Sequence, residues 1–328
     1  MQIDHLPEYQ KGVAGRCVWL DLSRMIAILF VMIAHSPLAF SGNATMASTP
    51  VALFFLLSGY FDKPCSTKKR ISRVLSFLVA FVVWFTAGFG CTHLSTLRHL
   101  SAWFYFSGHL WFLIYLIPCI ILNAIYLKLS TLYKVSLLMG VISASTYLRI
   151  HFHVMWDHPL IPLLYALSMY WVGVILRKYY GTEKLHEALF LSHSKLRFIV
   201  CVLSVGVFIA FLYLADHRVR IPYCPLYYLI GCWGILGMCY YARCYLPHLS
   251  HTLVAAAPGT FFVYVSHQLI ARNLTSLANV MGIPSNSSIL HWGIIFITFC
   301  LGALVCRFLR NKNILINIIF FGRCSLRS

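Results

Sequence analysis

Two residues in an apolar stretch near the start of the sequence have side chains that can do chemistry. Arg24 offers a permanently charged planar fork that fits phosphate, and His35 has an ordinary pKa near neutrality, so it can exchange a proton. They are eleven residues apart in "SRMIAILFVMIAHSP", residues 23–37. In an α-helix this spacing places them within about 20° of each other around the axis and about 16 Å apart along it. The spacing predicts two polar groups on one helix face at different depths.

Each residue also has a plain structural interpretation. An arginine at this position can extend its charged head to the lipid headgroups, and a histidine followed by Ser36 and Pro37 is typical of a membrane interface. Together on one face, Arg24 and His35 favour a cavity lined by polar groups, because ionisable residues within a membrane usually face a bundle interior or water and mark function.

The composition indicates a membrane protein. Of the 328 residues, 60% are hydrophobic and 10% are charged, whereas soluble domains carry about 25% charged residues. A membrane-spanning helix needs about 20 apolar residues, and such windows recur along the sequence. The sequence predicts an all-α integral membrane protein with a single bundle of about ten transmembrane helices. The predicted spans are 17–40, 48–61, 74–90, 109–127, 133–148, 160–176, 198–214, 224–241, 260–279 and 289–309.

The distribution of Lys and Arg predicts the orientation of these spans. With the N-terminus inside, twenty of the 26 basic residues fall in inner segments and five in outer segments, which predicts that both termini are cytoplasmic. The formal charge of +18 is thereby explained by orientation, so we expect membrane lipids and not nucleic acid as partners. Residues 1–310 form the predicted transmembrane domain and 311–328 a basic cytoplasmic tail. Its apolar patch "ILINIIFF" is too short to span, and either lies in the inner interface or joins the bundle.

Several motifs together resemble one family. "WLDLSRMIAILFVMIAHS" (19–36) is similar to the first helix of the membrane-bound acyltransferase-3 family, with Leu-Asp-x-x-Arg and a histidine eleven residues beyond that arginine. "FFLLSGYF" (54–61) resembles the end of the family's second helix, and Arg70-x-x-Arg73 its basic loop. "GHLWFLIYL" (108–116) and "FFVYVSHQLI" (261–270) resemble two later elements, in the same order. Each motif is weak alone, and their conjunction carries the resemblance.

The resemblance implies an O-acyltransferase in the bacterial inner (cytoplasmic) membrane. Its members transfer acyl groups, most often acetyl, to sugar hydroxyls, so we expect acetyl-CoA as donor and a surface polysaccharide or lipid-linked glycan as acceptor. The resemblance implies His35 as the general base for the acceptor hydroxyl, with Arg24 as the second catalytic residue.

An acyl-CoA donor is polyanionic and cytoplasmic, so cations are expected at the inner mouth. Arg70 and Arg73 lie there in the predicted orientation, together with the helix end Ser58, Gly59 and Tyr60. Two alternatives stay open. The run "KKRISR" can be an ordinary inner charge cluster, and Gly59 can be a helix C-cap or a point of close approach for another backbone as well as for the donor.

Three further residues are candidates for binding the acceptor: His109, Trp111 and His267. Trp111 can instead be an interfacial anchor, and His267 a structural histidine with a polar partner. The eight acids all fall at helix ends or in loops; Asp21, three residues before Arg24, is placed to hold that arginine. No intramembrane carboxylate is left to orient His35, and no cluster has the spacing of a metal site.

Two other classes remain as alternatives. The main one is a transporter or flippase of lipid-linked sugars, although such carriers generally depend on intramembrane acids. The other is a membrane scaffold without catalytic activity. Some members of the family carry an additional extracytoplasmic domain that completes the transfer. No such domain follows the last predicted span, so we expect the protein to act alone or with partner proteins of polysaccharide assembly.

Overall fold

The protein is helical throughout the part that the computed structural model describes, with no β-strand there. The described residues are 17–36, 44–90, 110–151, 160–190, 196–216, 225–254, 257–285, 287–309 and 312–322. The longer helices are α1 (Val18–Ala34), α2 (Ala44–Tyr60), α3 (Thr67–Phe85), α4 (Trp111–Tyr126), α5 (Thr131–His151), α6 (Leu160–Phe190), α7 (Arg197–Asp216), α8 (Pro225–Tyr245), α10 (Thr260–Val280) and α11 (Ser288–Leu309). Two shorter helices are α9 (Pro247–Val254) and α12 (Ile314–Phe321).

Each predicted span falls on one of the longer helices, which confirms the all-helical class for the described residues. By length and composition, the described segments Thr67–Gly88, Leu160–Tyr180 and Ser288–Leu309 are long and apolar enough to cross a membrane. The count of ten spans and the cytoplasmic position of both termini stay predictions. One helix differs clearly from its predicted span. α6 continues to Phe190, well past 176, because residues with high helix propensity such as Lys184 and Leu185 follow the apolar stretch.

The core lies between α1, α2, α4, α6 and α8, and it consists largely of buried aliphatic and aromatic side chains. α2 packs along α6, α1 lies against α2 and α8, and α10 pairs with α11. This arrangement places the end of α1 beside α10, where the candidate site is found.

The apolar patch near the C-terminus is part of the bundle. It forms α12, which begins at the N-cap Asn313, whose side chain accepts a hydrogen bond from the Leu315 amide at 2.7 Å. The helix packs against α3, and the Trp84 indole donates to the Ile319 carbonyl at 2.9 Å. Of the two interpretations that the sequence left open for this patch, the structure supports the second. The side of the membrane on which the chain ends stays a prediction.

α2 and α6 cross with their backbones in direct contact. A Cβ atom added at Gly59 would collide with the backbone of Tyr170, and one added at Gly173 would collide with the Leu56 carbonyl. Small residues at a helix crossing allow this close approach. Gly59 is itself helical, so it is not the C-cap that the sequence allowed; the group that approaches it is the neighbouring helix.

We expect the substitution Gly59→Ala to destabilise the protein by about 1–3 kcal/mol, because the added methyl group overpacks a backbone crossing. The measurement is the free energy of unfolding of the purified protein in detergent. Gly140→Ala is the matched control, because nothing lies within 4 Å of a Cβ at that helical position. The control should be neutral or stabilising by up to about 1 kcal/mol. Equal effects at the two positions would contradict the crossing argument.

Candidate active site

Arg24 is held at its predicted position on α1. Its guanidinium donates to Asp21 Oδ1 at 2.9 Å, one turn earlier on the same helix, as the sequence predicted. The guanidinium also lies over the ring of Phe61, with its carbon 4.5 Å from the ring centroid. Arg24 is therefore fixed by a carboxylate and by an aromatic ring at the end of α2.

The α1 face between Arg24 and His35 is closed. Ile28 and Val31 occupy it, and they are 0% and 1% exposed. The sequence favoured a single cavity with both polar groups on its wall. The structure instead gives each residue its own environment, because packed aliphatic side chains fill the space between them.

His35 caps the C-terminal end of α1, and its ring is oriented by the main chain. Nδ1 lies 2.7 Å from the Val31 carbonyl oxygen. Because a carbonyl oxygen only accepts hydrogen bonds, Nδ1 carries the hydrogen and Nε2 carries the lone pair. The sequence offered no carboxylate to orient His35, and the structure shows that a backbone carbonyl takes this role. A histidine at a helix terminus can reach the carbonyl four residues back, which is the signal that sequence reasoning missed.

His267 meets His35 at this point. The two ring centroids are 5.4 Å apart and the ring planes are nearly perpendicular, at 73°. His267 is 2% exposed, and its Nδ1 donates to the Tyr264 carbonyl at 2.7 Å. Both imidazoles therefore use Nδ1 to bind their own helix and have Nε2 as the acceptor nitrogen. Of the two predicted acceptor-site residues that the structure describes, His267 and Trp111, it is His267 that lies beside His35.

A cavity of about 580 Å³ opens beside the two histidines. It lies between the end of α1, the length of α10 and the start of α11. Its lining residues are Met32, His35 and Ser36; His267, Gln268, Ala271, Arg272, Thr275, Ser276 and Asn279; and Ser285, His291, Ile294 and Ile295. Most of them are hydrogen-bonding side chains, and none of these described lining residues is acidic. The volume is in the range of small-molecule sites, and the polar lining suits a polyhydroxylated ligand.

Sequence reasoning missed most of this lining. His291, which donates through Nε2 to the Ser285 carbonyl at 2.8 Å, was not singled out. Neither was Arg272, although it falls within the predicted ninth span, 260–279. The signal was present in the spacing of Gln268, Arg272, Thr275 and Asn279, which follows the helical repeat and predicts one polar face.

A buried carboxylate organises the other group of predicted residues. Asp62, which follows α2, is 4% exposed and accepts hydrogen bonds from Arg73 at 2.5 Å, Asn123 at 2.6 Å and the Tyr170 hydroxyl at 2.7 Å. These partners belong to α3, α4 and α6. The sequence placed Asp62 among the acids of ends and loops and gave it no role, because burial of a loop residue depends on tertiary packing.

Three consecutive residues at this end of α2 each contact an arginine from a different helix. Tyr60 lies under Arg177 of α6, with the guanidinium carbon 5.5 Å from its ring centroid. Phe61 lies under Arg24 of α1, and Asp62 binds Arg73 of α3. We call Arg24, Arg73 and Arg177 the arginine group.

The predicted donor-site residues have different environments. Arg73 already binds a carboxylate, whereas the buried Nε of Arg70 has no hydrogen-bond partner among the described residues. Gly59 faces the backbone of Tyr170, and Tyr60 is 0% exposed, so both have packing roles. Ser58 is half-buried. Arg70 is therefore the predicted donor-site residue with a buried hydrogen-bond donor that has no partner among the described residues.

The remaining acceptor-site candidates are His109 and Trp111. His109 falls outside the described residues. Trp111 is half-buried, with its ring 5.8 Å from Phe55 and 5.9 Å from Tyr115. It does not line the cavity beside His35, and its contacts are those of a packed aromatic residue.

Comparison with known proteins gives one match. A model of a protein family described as "Acyltransferase domain", which is the acyltransferase-3 family, matches residues 18–308. No curated protein and no solved structure matches the chain. The matched range contains both candidate histidines, Asp62 and the arginine group.

We expect Asp62→Asn to destabilise the protein by about 3 kcal/mol, because it removes the carboxylate that balances the partly buried Arg73. Adding Arg73→Gln should recover part of the loss, with a coupling energy of about 1–3 kcal/mol. The measurement is a double-mutant cycle of unfolding free energies in detergent, with Lys63→Gln at an exposed neighbouring position as the control. Strictly additive effects would show that the two side chains do not stabilise each other.

Proposed function

Because the chain belongs to the membrane-bound acyltransferase-3 family, we propose that it is an O-acyltransferase. It transfers acetyl from acetyl-CoA to a sugar hydroxyl of a bacterial surface polysaccharide or lipid-linked glycan. It acts as a multi-pass protein of the inner membrane, alone or with partner proteins of polysaccharide assembly. The observation that carries the proposal is the pair His35 and His267 at the edge of a polar cavity, with Nε2 of His35 available as a base.

His35 has the geometry that a general base requires. A sugar hydroxyl has no useful acidity at neutral pH, so a positioned base must take its proton as its oxygen attacks. The Val31 carbonyl holds the His35 ring through Nδ1–H, which fixes the tautomer and stabilises the positive charge that forms when Nε2 takes the proton. Bound acetyl-CoA would supply the electrophilic carbonyl carbon for this attack; its C–S bond would break as the ester C–O bond forms, and the proton taken up by His35 Nε2 would pass to the departing CoA thiolate.

The cavity fits the acceptor. Ser36, Gln268 and Asn279 offer hydrogen bonds to hydroxyl groups, and His267 lies within contact of the base. A hydrogen-bonding wall of this kind orients a sugar without covalent chemistry. His267 is thus assigned to acceptor positioning beside His35.

The anionic part of the donor is assigned to the other end of α1, the end at Arg24. The fit rests on Arg70, whose buried Nε lacks a partner among the described residues and matches an anionic oxygen. The exposed Lys68 and Lys69 add positive charge beside it, and Arg73 is positioned by Asp62 on the same helix face. Arg24 lies in the same arginine group, at the inner end of α1 in the predicted orientation.

We expect His35→Ala to lower acyl transfer by about 10²–10⁴-fold, because the general base is lost. The measurement is mass spectrometry of O-acetyl groups on the surface glycans of a deletion strain that carries each variant at equal membrane levels. His151→Ala is the matched control, since His151 also binds the carbonyl four residues back but is exposed on α5. Unchanged acetylation in His35→Ala would exclude the catalytic assignment. Loss of glycan export without any acyl mark in the wild type would favour the transporter.

We expect Arg70→Gln to raise the KM for acetyl-CoA by about 10–100-fold and to leave the KM for the acceptor unchanged, because a hydrogen bond to an anion is lost. The measurement is steady-state kinetics of the purified protein in detergent. Lys69→Gln, at the exposed adjacent position, should change the donor KM by less than about threefold. If the two variants behave alike, the positive charge of the loop and not the Arg70 fork binds the donor.

A further inference from the structure

Arg272 is a permanently charged residue on the cavity-facing side of α10, within a predicted span. Ionisable residues at such positions usually serve a substrate or ion path. None of the ion pairs recorded between described residues involves Arg272. Its exposed guanidinium therefore has hydrogen-bond donors to offer to a ligand in the cavity.

The charges around the cavity point to the kind of ligand. Arg272 carries the one permanent charge among the described lining residues, and none of them is a carboxylate. A neutral sugar needs no such cation, whereas the planar fork of arginine fits a carboxylate or a phosphate in bidentate fashion. An anion also balances the second positive charge that the cavity gains when His35 takes a proton.

The position of Arg272 on α10 fixes its axial separation from His267. It follows His267 by five residues on one helix, which is about 7.5 Å along the axis. His267 contacts His35, so the backbone of Arg272 lies about one and a half turns of α10 beyond the reacting end of the cavity. Gln268, Thr275 and Asn279 continue the same polar face on both sides of it.

From these observations we propose that the acceptor is an acidic glycan, and that Arg272 binds its anionic group. This inference rests on the proposed acyltransferase function. We place the carboxylate or phosphate on the sugar that is acylated or on its direct neighbour, because Arg272 and His267 are only about 7.5 Å apart along the axis of α10 and line the same cavity. Arg272 is thus a specificity-determining residue that selects acceptors by charge.

The test is to map the acyl mark on the surface glycans of the host by tandem mass spectrometry. The wild type is compared with deletion strains that carry His35→Ala, Arg272→Gln, Arg272→Lys or Arg307→Gln at equal membrane levels. The mark that depends on His35 should lie on, or next to, a sugar with a carboxylate or phosphate. Arg272→Gln should lower it by about tenfold or more, and Arg272→Lys, which keeps the charge but loses the planar fork, should lower it by less than Arg272→Gln. Arg307→Gln, which removes a charge outside the cavity lining, should leave it unchanged.

The outcomes separate the two proposals. If His35→Ala retains the mark, the proposed function fails, and the acidic acceptor fails with it. If His35→Ala abolishes the mark but the mark lies on a neutral stretch of glycan, only the acidic acceptor is overturned. The same conclusion follows if Arg272→Gln acylates like the wild type, which would assign the guanidinium to lipid headgroups. Mapping the mark in the wild type and in His35→Ala needs no variant of Arg272, so the test holds even if Arg272→Gln fails to fold.

Discussion

A carboxylate removed from water is unfavourable unless charged and hydrogen-bonding groups surround it. Asp62 meets this requirement with one side chain from each of α3, α4 and α6, and it follows directly on α2. Four helices are thus tied together at one point. The close crossing of α2 and α6 at Gly59 lies three residues away, so the same end of α2 is fixed by packing and by hydrogen bonding. The positions of Tyr60 and Phe61, and of the arginines stacked on them, depend on this anchor.

The two ends of α1 have different chemistry because they lie in different surroundings. At one end Arg24 joins a group of cations around the end of α2, which suits an anionic donor. At the other end His35 is the C-cap of the helix, and it contacts His267 and lines a polar cavity, which suits a hydroxyl acceptor. The helix separates Arg24 from His35 by about 16 Å along its axis. The donor must therefore extend over about this distance if its anionic part binds near Arg24 and its acyl group reacts at His35.

The sequence predicted the positions of the helices better than it predicted which side chains contact each other between helices. The apolar windows fell on the helices, and the spacing within α1 singled out Arg24 and His35, because helical periodicity is a local property. The local pair Asp21 and Arg24 was found for the same reason. Asp62 and the main-chain orientation of His35 were not found, since the first depends on residues up to 108 positions away and the second depends on where α1 ends. Arg272 falls within the predicted ninth span, and its place on a polar face of α10 could have been predicted from the spacing of Gln268, Thr275 and Asn279. At Gly59 the sequence left open the close approach of another backbone or of the donor, and the structure has the backbone of α6 there.

Ile28 and Val31 separate the arginine group from the cavity at His35. In a membrane protein, a continuous polar path between these two sites would also conduct protons and small ions, and so dissipate the gradients across that membrane. Packed aliphatic side chains provide electrical insulation between the two compartments that the proposed reaction couples. The aliphatic residues of α1 would then serve to keep the membrane impermeable to ions as well as to stabilise the fold, since an acyltransferase that stayed open along this face would let protons and small ions cross.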